Sequence, residues 1–171
     1  MNPMQTVRIE KVTLNVGAGK DQAKLEKGVQ IIKQITGIDP VKTITKKRIP
    51  AWGLRPGLPI GCKVTLRKQA AQELLGRLLH AKDHALQESQ FDQAGNISFG
   101  IPEYIDIKGS KYDPKIGIMG LQVCVTLEKP GFRVKKRSLR KSGIGKQQLI
   151  TKEEAKLFMQ KHFQVKIGEQ P

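Results

Sequence analysis

From Arg8 to Gly17 the apolar residues Val12, Leu14 and Val16 alternate with Lys11, Thr13 and Asn15, a pattern that predicts a strand with one apolar and one polar side. Asp21 then stands where it can cap a helix running to about Thr36. Leu25, Val29, Ile32 and Ile35 or Thr36 form its apolar stripe, and Gly37 is placed to end it. Val41 to Thr45 is a short strand candidate. Lys46 to Gly61 contains Pro50, Gly53, Pro56, Gly57, Pro59 and Gly61, which predicts an extended loop without regular structure. Cys62 to Arg67 resumes the alternation, with Cys62, Val64 and Leu66 on one side and Lys63, Thr65 and Arg67 on the other.

A second helix is predicted from about Gln69, where Ala71, Leu74, Leu75, Leu78 and Leu79 have the spacing of a buried stripe; it should end near His80 to Asp83. Gly95 to Ile101 and Gly120 to Glu128 read as half-buried strands, and Pro102 to Met119 between them as irregular. Thr151-Lys152-Glu153-Glu154 has the form of a capping box opening a last helix that reaches about Phe163. Alternation this regular means strands with one side on helices and one side free. The expected fold class is α+β: a single antiparallel-dominated sheet with helices packed on one face, a long basic loop and a basic C-terminal extension. The 171 residues are expected to form a single domain, with a core over about 7–128 and the extension and last helix over about 129–171.

Composition narrows the class. No window approaches the roughly twenty apolar residues of a membrane span, so no membrane partner is expected. The first residues lack a basic stretch followed by an apolar one, which points to a cytosolic protein. Cys62 and Cys124 form no Cys-x-x-Cys pair and read as free thiols, which argues against a disulfide framework and a four-cysteine zinc site.

Charge is the strongest signal. The chain carries a net +16, and eight cations lie between Val41 and Lys68 and eight more between Lys129 and Gln148, with no Asp or Glu in either segment. With those sixteen removed, fifteen Lys and Arg stand against fifteen Asp and Glu. Two such segments point to a nucleic-acid surface. The free strand face should carry Lys11, Thr13, Asn15, Lys63, Thr65, Arg67, Gln122 and Thr126, a mixture suited to phosphates, ribose hydroxyls and base edges.

Other motifs fall short of a chemistry. Gly17-Ala18-Gly19-Lys20-Asp21 lacks the spacing of a phosphate loop and the third glycine of a dinucleotide fingerprint, so it reads as a tight strand-to-helix turn whose free N–H groups could hold a phosphate. His80 and His84 lack the glutamate of a metalloprotease helix and read as surface histidines. Cys62, in register with Val64 and Leu66, reads as a core residue. No carboxylate pair or activated serine stands out, so no enzyme, metal or cofactor is expected. Trp52, the only tryptophan, lies among Lys46, Lys47, Arg48 and Arg55; it either stacks on bases or packs on the prolines of its loop.

Leu14-Asn15-Val16-Gly17-Ala18-Gly19, Ile35-Thr36-Gly37 with Pro40, the segment Lys46-Lys47 to Leu54-Arg55, Pro59-Ile60-Gly61-Cys62-Lys63-Val64-Thr65-Leu66-Arg67 and Gly95-Asn96-Ile97-Ser98-Phe99-Gly100-Ile101 together resemble the family of large-subunit ribosomal protein five, the 5S rRNA-binding ribosomal protein family. The segment from Lys129-Pro130-Gly131-Phe132 to Thr151-Lys152-Glu153-Glu154-Ala155 resembles the archaeal and eukaryotic branch, and the long amino-terminal helix of bacterial members has no counterpart. The resemblance implies a structural role in the cytoplasmic ribosome, in the central protuberance of the large subunit. It implies 5S rRNA on the sheet face, through Lys11, Thr13, Asn15, Lys42, Thr43, Lys63, Thr65 and Arg67. The loop with Lys46, Lys47, Arg48, Trp52 and Arg55 would reach the transfer RNA in the P site, and Arg133, Lys135, Lys136, Arg137, Arg140 and Lys141 would add contacts to ribosomal RNA. Further implied partners are the large-subunit rRNA, small-subunit ribosomal protein thirteen across the subunit interface and neighbouring large-subunit proteins. Asn15 and Thr65 match family residues that hydrogen-bond 5S rRNA, Trp52 matches an aromatic of the loop, and Ile38 replaces a frequent Gln. The rivals are a DNA-binding architectural protein, which needs an Arg-rich recognition helix, and an RNA-modifying enzyme, which needs a cofactor loop or catalytic constellation.

Overall fold

The computed structural model describes residues 2–168. Its main elements run in the order β1 (Arg8–Gly17), α1 (Gln22–Thr36), β2 (Val41–Ile44), β3 (Pro59–Leu66), α2 (Lys68–His80), β4 (Ala85–Gln87), β5 (Asn96–Ile101), β6 (Leu121–Glu128), α3 (Arg133–Lys136), α4 (Lys152–Phe163) and β7 (Lys166–Gly168). Five strands form an antiparallel sheet in the order β2-β3-β1-β6-β5, and β4 pairs with β7. The fold is α+β, as the alternation predicts. The chain forms two compact units: one takes residues up to 12, 67–98 and from 125 on, the other 13–66 and 99–124.

In the second of these units, Leu14, Val16, Cys62, Val64, Phe99, Ile101, Leu121 and Val123 are buried, whereas their neighbours Lys63, Thr65, Gln122 and Cys124 are exposed and Thr13 and Asn15 half-buried. Helix α1 lies on the apolar side. A Cβ on Gly28 would come 2.9 Å from Val16 Cγ1 and 3.2 Å from Cys62 Sγ, so bare backbone lets the helix sit directly on the strands. This seat turns the helix from the expected stripe: Gly28 and Ile31 are buried, and Val29 is only half-buried. The Asp21 carboxylate accepts from the Ala23 and Lys24 N–H groups at 2.9 and 3.2 Å, and Gly37 closes the helix at φ +70°.

Strand β3 begins at Pro59, before the expected Cys62, and ends at Leu66 before Arg67. Proline is tolerated there because the first strand position need not donate to the ladder. At Gly61 a Cβ would stand 2.7 Å from the Val16 carbonyl oxygen, so only glycine lets the two backbones approach. The loop expected at Lys46 to Gly61 is folded back on itself. The Leu58 carbonyl accepts from Thr45 N–H, the Thr45 carbonyl from Gly57 N–H, each at 2.9 Å, and Ile49 pairs with Leu54 around a 3-10 turn at Pro50–Trp52.

In the first unit, Ala71, Leu74, Leu75, Leu78 and Leu79 of α2 are all buried, as their spacing predicts. The α4 capping box is present: the Glu154 N–H donates to Thr151 Oγ1 and the Thr151 N–H to Glu154 Oε2. The parallel pair β4–β7 is new, because three-residue strands are too short to show alternation. His84, read from the sequence as a surface histidine, is half-buried with Nδ1 3.1 Å from the Phe163 carbonyl oxygen. Among the described residues no helix is long and apolar enough to cross a membrane.

Candidate nucleic-acid interface

The bare side of the strands in the second unit carries short polar groups held by one another. Thr13 and Thr65 meet hydroxyl to hydroxyl at 3.5 Å, and the Asn15 amide donates to Gln122 Oε1 at 2.9 Å. Cross-strand hydrogen bonding of this kind fixes rotamers without filling all acceptor positions, so the remaining lone pairs face outward in a set pattern. Lys63 is exposed on this side, opposite Val41 in the β2–β3 register, and Thr43 stands opposite Gly61 on the same side. Lys42 pairs with buried Cys62 and therefore belongs to the opposite side of the sheet from Thr43. The sequence reading groups these two residues; adjacency along a strand puts them on different faces.

Lys46, Lys47, Arg48 and Arg55 are exposed on the β2–β3 arm and have no ion-pair partner among the described residues. Trp52 is 68% exposed at the tip, on the turn closed by Gly53 at φ +66°. That exposure leaves most of the side chain open to solvent. Leu54 is the arm residue that turns inward.

Most N–H groups of the strand-to-helix turn already have partners within the protein. The Ala18 and Gly19 N–H groups both donate to the Ile60 carbonyl, at 2.9 and 3.0 Å. Asp21 takes the Ala23 and Lys24 N–H groups of the first helical turn as well.

In the first unit the cations differ in availability. Lys11 is half-buried. Arg67, past the end of β3, turns its guanidinium to the buried Glu10 carboxylate at 3.1 Å, and Lys136 binds the same oxygen. Burial works to raise the pKa of Glu10, but the hydrogen bonds from Lys136 and Arg67 and the charges of Lys136 and Lys11 outweigh it and leave the group below the ordinary glutamate range. The Lys135 and Lys136 ammonium groups lie 5.4 and 4.9 Å from the Phe132 ring centroid. Arg137 donates through Nε to the Arg140 carbonyl at 2.9 Å; Arg133 and Lys141 are exposed, with no side-chain partner among the described residues. Lys129, counted in the basic run, is 4% exposed and donates to the Gln147 and Leu149 carbonyls and to Glu154, at 3.4, 3.1 and 2.8 Å. It is a structural cation. Sequence reasoning missed Glu10, whose signal is a carboxylate in the same alternation as Val12, Leu14 and Val16, where a charge requires partners. Among the described residues no group of His, Cys, Asp and Glu could hold a metal.

Unpaired cations beside fixed neutral hydrogen-bonding groups, on the bare side of helix-backed strands, define a structural polyanion-binding protein. Residues 2–55 match the model of the family described as "Ribosomal protein L5", and residues 59–165 match the model of that ribosomal family's C-terminus. Similar proteins described as "Large ribosomal subunit protein uL5" include those of three archaea. That of Sulfurisphaera tokodaii is 46% identical over 170 residues, covering 99% of this chain and 96% of the relative. That of Methanococcus maripaludis is 48% identical over 168 residues (96% and 93%), and that of Nanoarchaeum equitans 47% over 167 (97% and 98%). The chain belongs to the ribosomal L5 family. It is a non-enzymatic structural constituent of the large ribosomal subunit, and binding to ribosomal RNA is general in the family.

Proposed function

We propose that this protein holds 5S rRNA on the strand face bearing Thr13, Asn15, Thr43, Lys63 and Thr65, and so attaches it in the central protuberance. Lys46, Lys47, Arg48, Trp52 and Arg55 reach the transfer RNA in the P site. Arg133, Lys135, Arg137, Arg140 and Lys141 meet ribosomal RNA, and small-subunit ribosomal protein thirteen lies across an intersubunit bridge. The observation that carries this reading is the bare polar face: Thr13–Thr65 and Asn15–Gln122 are tied to each other with unpaired Lys63 beside them. The cations supply affinity by releasing counterions, and the fixed neutral groups supply register on a folded RNA. Family membership and the near full-length archaeal matches support the ribosomal setting.

The test is filter binding of 5S rRNA and of duplex DNA of equal length between about 50 and 200 mM salt, where phosphate contacts make affinity fall steeply. 5S rRNA should be retained at concentrations where the duplex is not; equal retention overturns the proposal. Lys63→Ala should lower affinity and flatten the salt slope by roughly one. Trp52→Ala should leave 5S binding nearly intact, so a large loss would move the arm from transfer RNA to 5S rRNA.

A further inference from the structure

In the first unit a cleft of about 410 Å³ opens among Arg8, Glu10, Arg67, Lys68, Arg133 and Lys136. Its charges are not equivalent. Arg8 is committed to Glu128 at 2.8 Å. The Glu10 side chain is 4% exposed, and it holds Arg67 and Lys136 while they remain 56% and 45% exposed. A guanidinium has five N–H donors and an ammonium three, so each spends part of its capacity on Glu10 and keeps the rest for solvent. Lys68 and Arg133 line the same cleft, exposed and with no side-chain partner among the described residues.

We propose that Glu10 is the positioning residue of a phosphodiester site in this cleft: its carboxylate fixes Arg67 and Lys136 with donors facing outward, where with Lys68 and Arg133 they bind a backbone phosphate of 5S rRNA. The proposal rests on the RNA-binding reading above and adds the device that sets the geometry. Long cationic side chains lose rotamer freedom when they dock on a phosphate, and a carboxylate beneath them takes that loss at folding, before RNA arrives. The buried charge of Glu10 is held ionised by the same two cations, so at neutral pH the anchor does not release.

Electrostatics alone and positioning predict opposite signs, which makes the experiment decisive. Removing a negative charge from a polyanion-binding surface raises affinity if the charge does nothing else. If Glu10 positions the two cations, Glu10→Gln lowers affinity for 5S rRNA roughly five- to tenfold despite the gain in net charge. The loss should shrink when Lys136→Gln is already present, because only the link to Arg67 is left to break, and vanish when Arg67→Gln and Lys136→Gln are both present. Arg67→Gln and Lys136→Gln alter half-exposed side chains and read the site independently of how well Glu10→Gln folds: each should weaken binding and lower the salt slope by roughly one. Unchanged affinity in both overturns the site. A wild-type chain that holds 5S rRNA no better than duplex DNA overturns the function proposed above and this site with it. A selective wild type whose folded Glu10→Gln variant binds as tightly or more tightly overturns the positioning role alone.

Discussion

Lys129 and Glu10 show how the same formal charge takes different work according to burial. Lys129 loses its hydration and regains three acceptors, two carbonyls and the Glu154 carboxylate, so it ties the segment 147–149 to the start of α4. Lys129→Met should destabilise the protein by about 2–3 kcal/mol, because it strands two carbonyls and a carboxylate, Glu154 being partly solvated and so keeping the cost below that of a fully buried pair. Urea unfolding measures this; the 5S rRNA salt slope should stay at its wild-type value, since the ammonium never faces RNA. At this scale the sequence is legible where parity decides. Thr13, Asn15, Lys63 and Thr65 fall on the polar side of their strands by alternation alone. Arg67 follows the same alternation in sequence but stands beyond the strand end, where the chain turns into α2 and carries the guanidinium to Glu10.

At the scale of elements, helix ends are more legible than strand ends. Asp21, Gly37 and the Thr151–Glu154 box terminate α1 and α4 through backbone groups within a few residues, so local sequence holds the whole cause. The start of β3 depends instead on its neighbour, because Pro59 and Gly61 look like loop residues until β1 lies beside them. Gly61→Ala should cost about 1–3 kcal/mol in urea unfolding, the range for forcing atoms into closed packing, since the new Cβ meets the Val16 carbonyl and Thr43 Oγ1 rather than a flexible chain end. The control is Gly57→Asn: nothing lies within 4 Å of a Cβ there, and asparagine tolerates its positive φ of +87° better than alanine, so a much smaller loss is expected. The β2–β3 arm is a further element that composition places but does not shape, since its closing bonds join Thr45 to Gly57 and Leu58 across the turn.

For the whole molecule, +16 must be carried by a protein whose carboxylates are few and well used. Glu10, Glu88 and Glu154 are each held below the ordinary glutamate value of 4.5: Glu10 and Glu154 against the opposing effect of burial, by Lys136 with Arg67 and by Lys129 with the Thr151 N–H respectively, and Glu88 by Lys156 and Lys152. A folded pKa below the unfolded one means stabilisation that is complete above about 4.5 and lost as pH falls through the folded values. The urea midpoint should therefore fall on acidification below about pH 4.5, and Glu10→Gln with Glu154→Gln should flatten that fall; an unaltered pH profile in the double variant would remove these ion pairs as its cause. The sequence by itself determined the α+β class, the helix-covered and bare sides of the strands, the caps and the two basic segments, because periodicity, capping and charge are local properties. Only the tertiary structure decided which cations are free: Lys129 is sealed in, Arg67 and Lys136 are tethered, and Lys46, Lys47, Arg48, Arg55 and Lys63 stand open, since pairing depends on residues far apart in the chain being folded to within a few ångströms of one another.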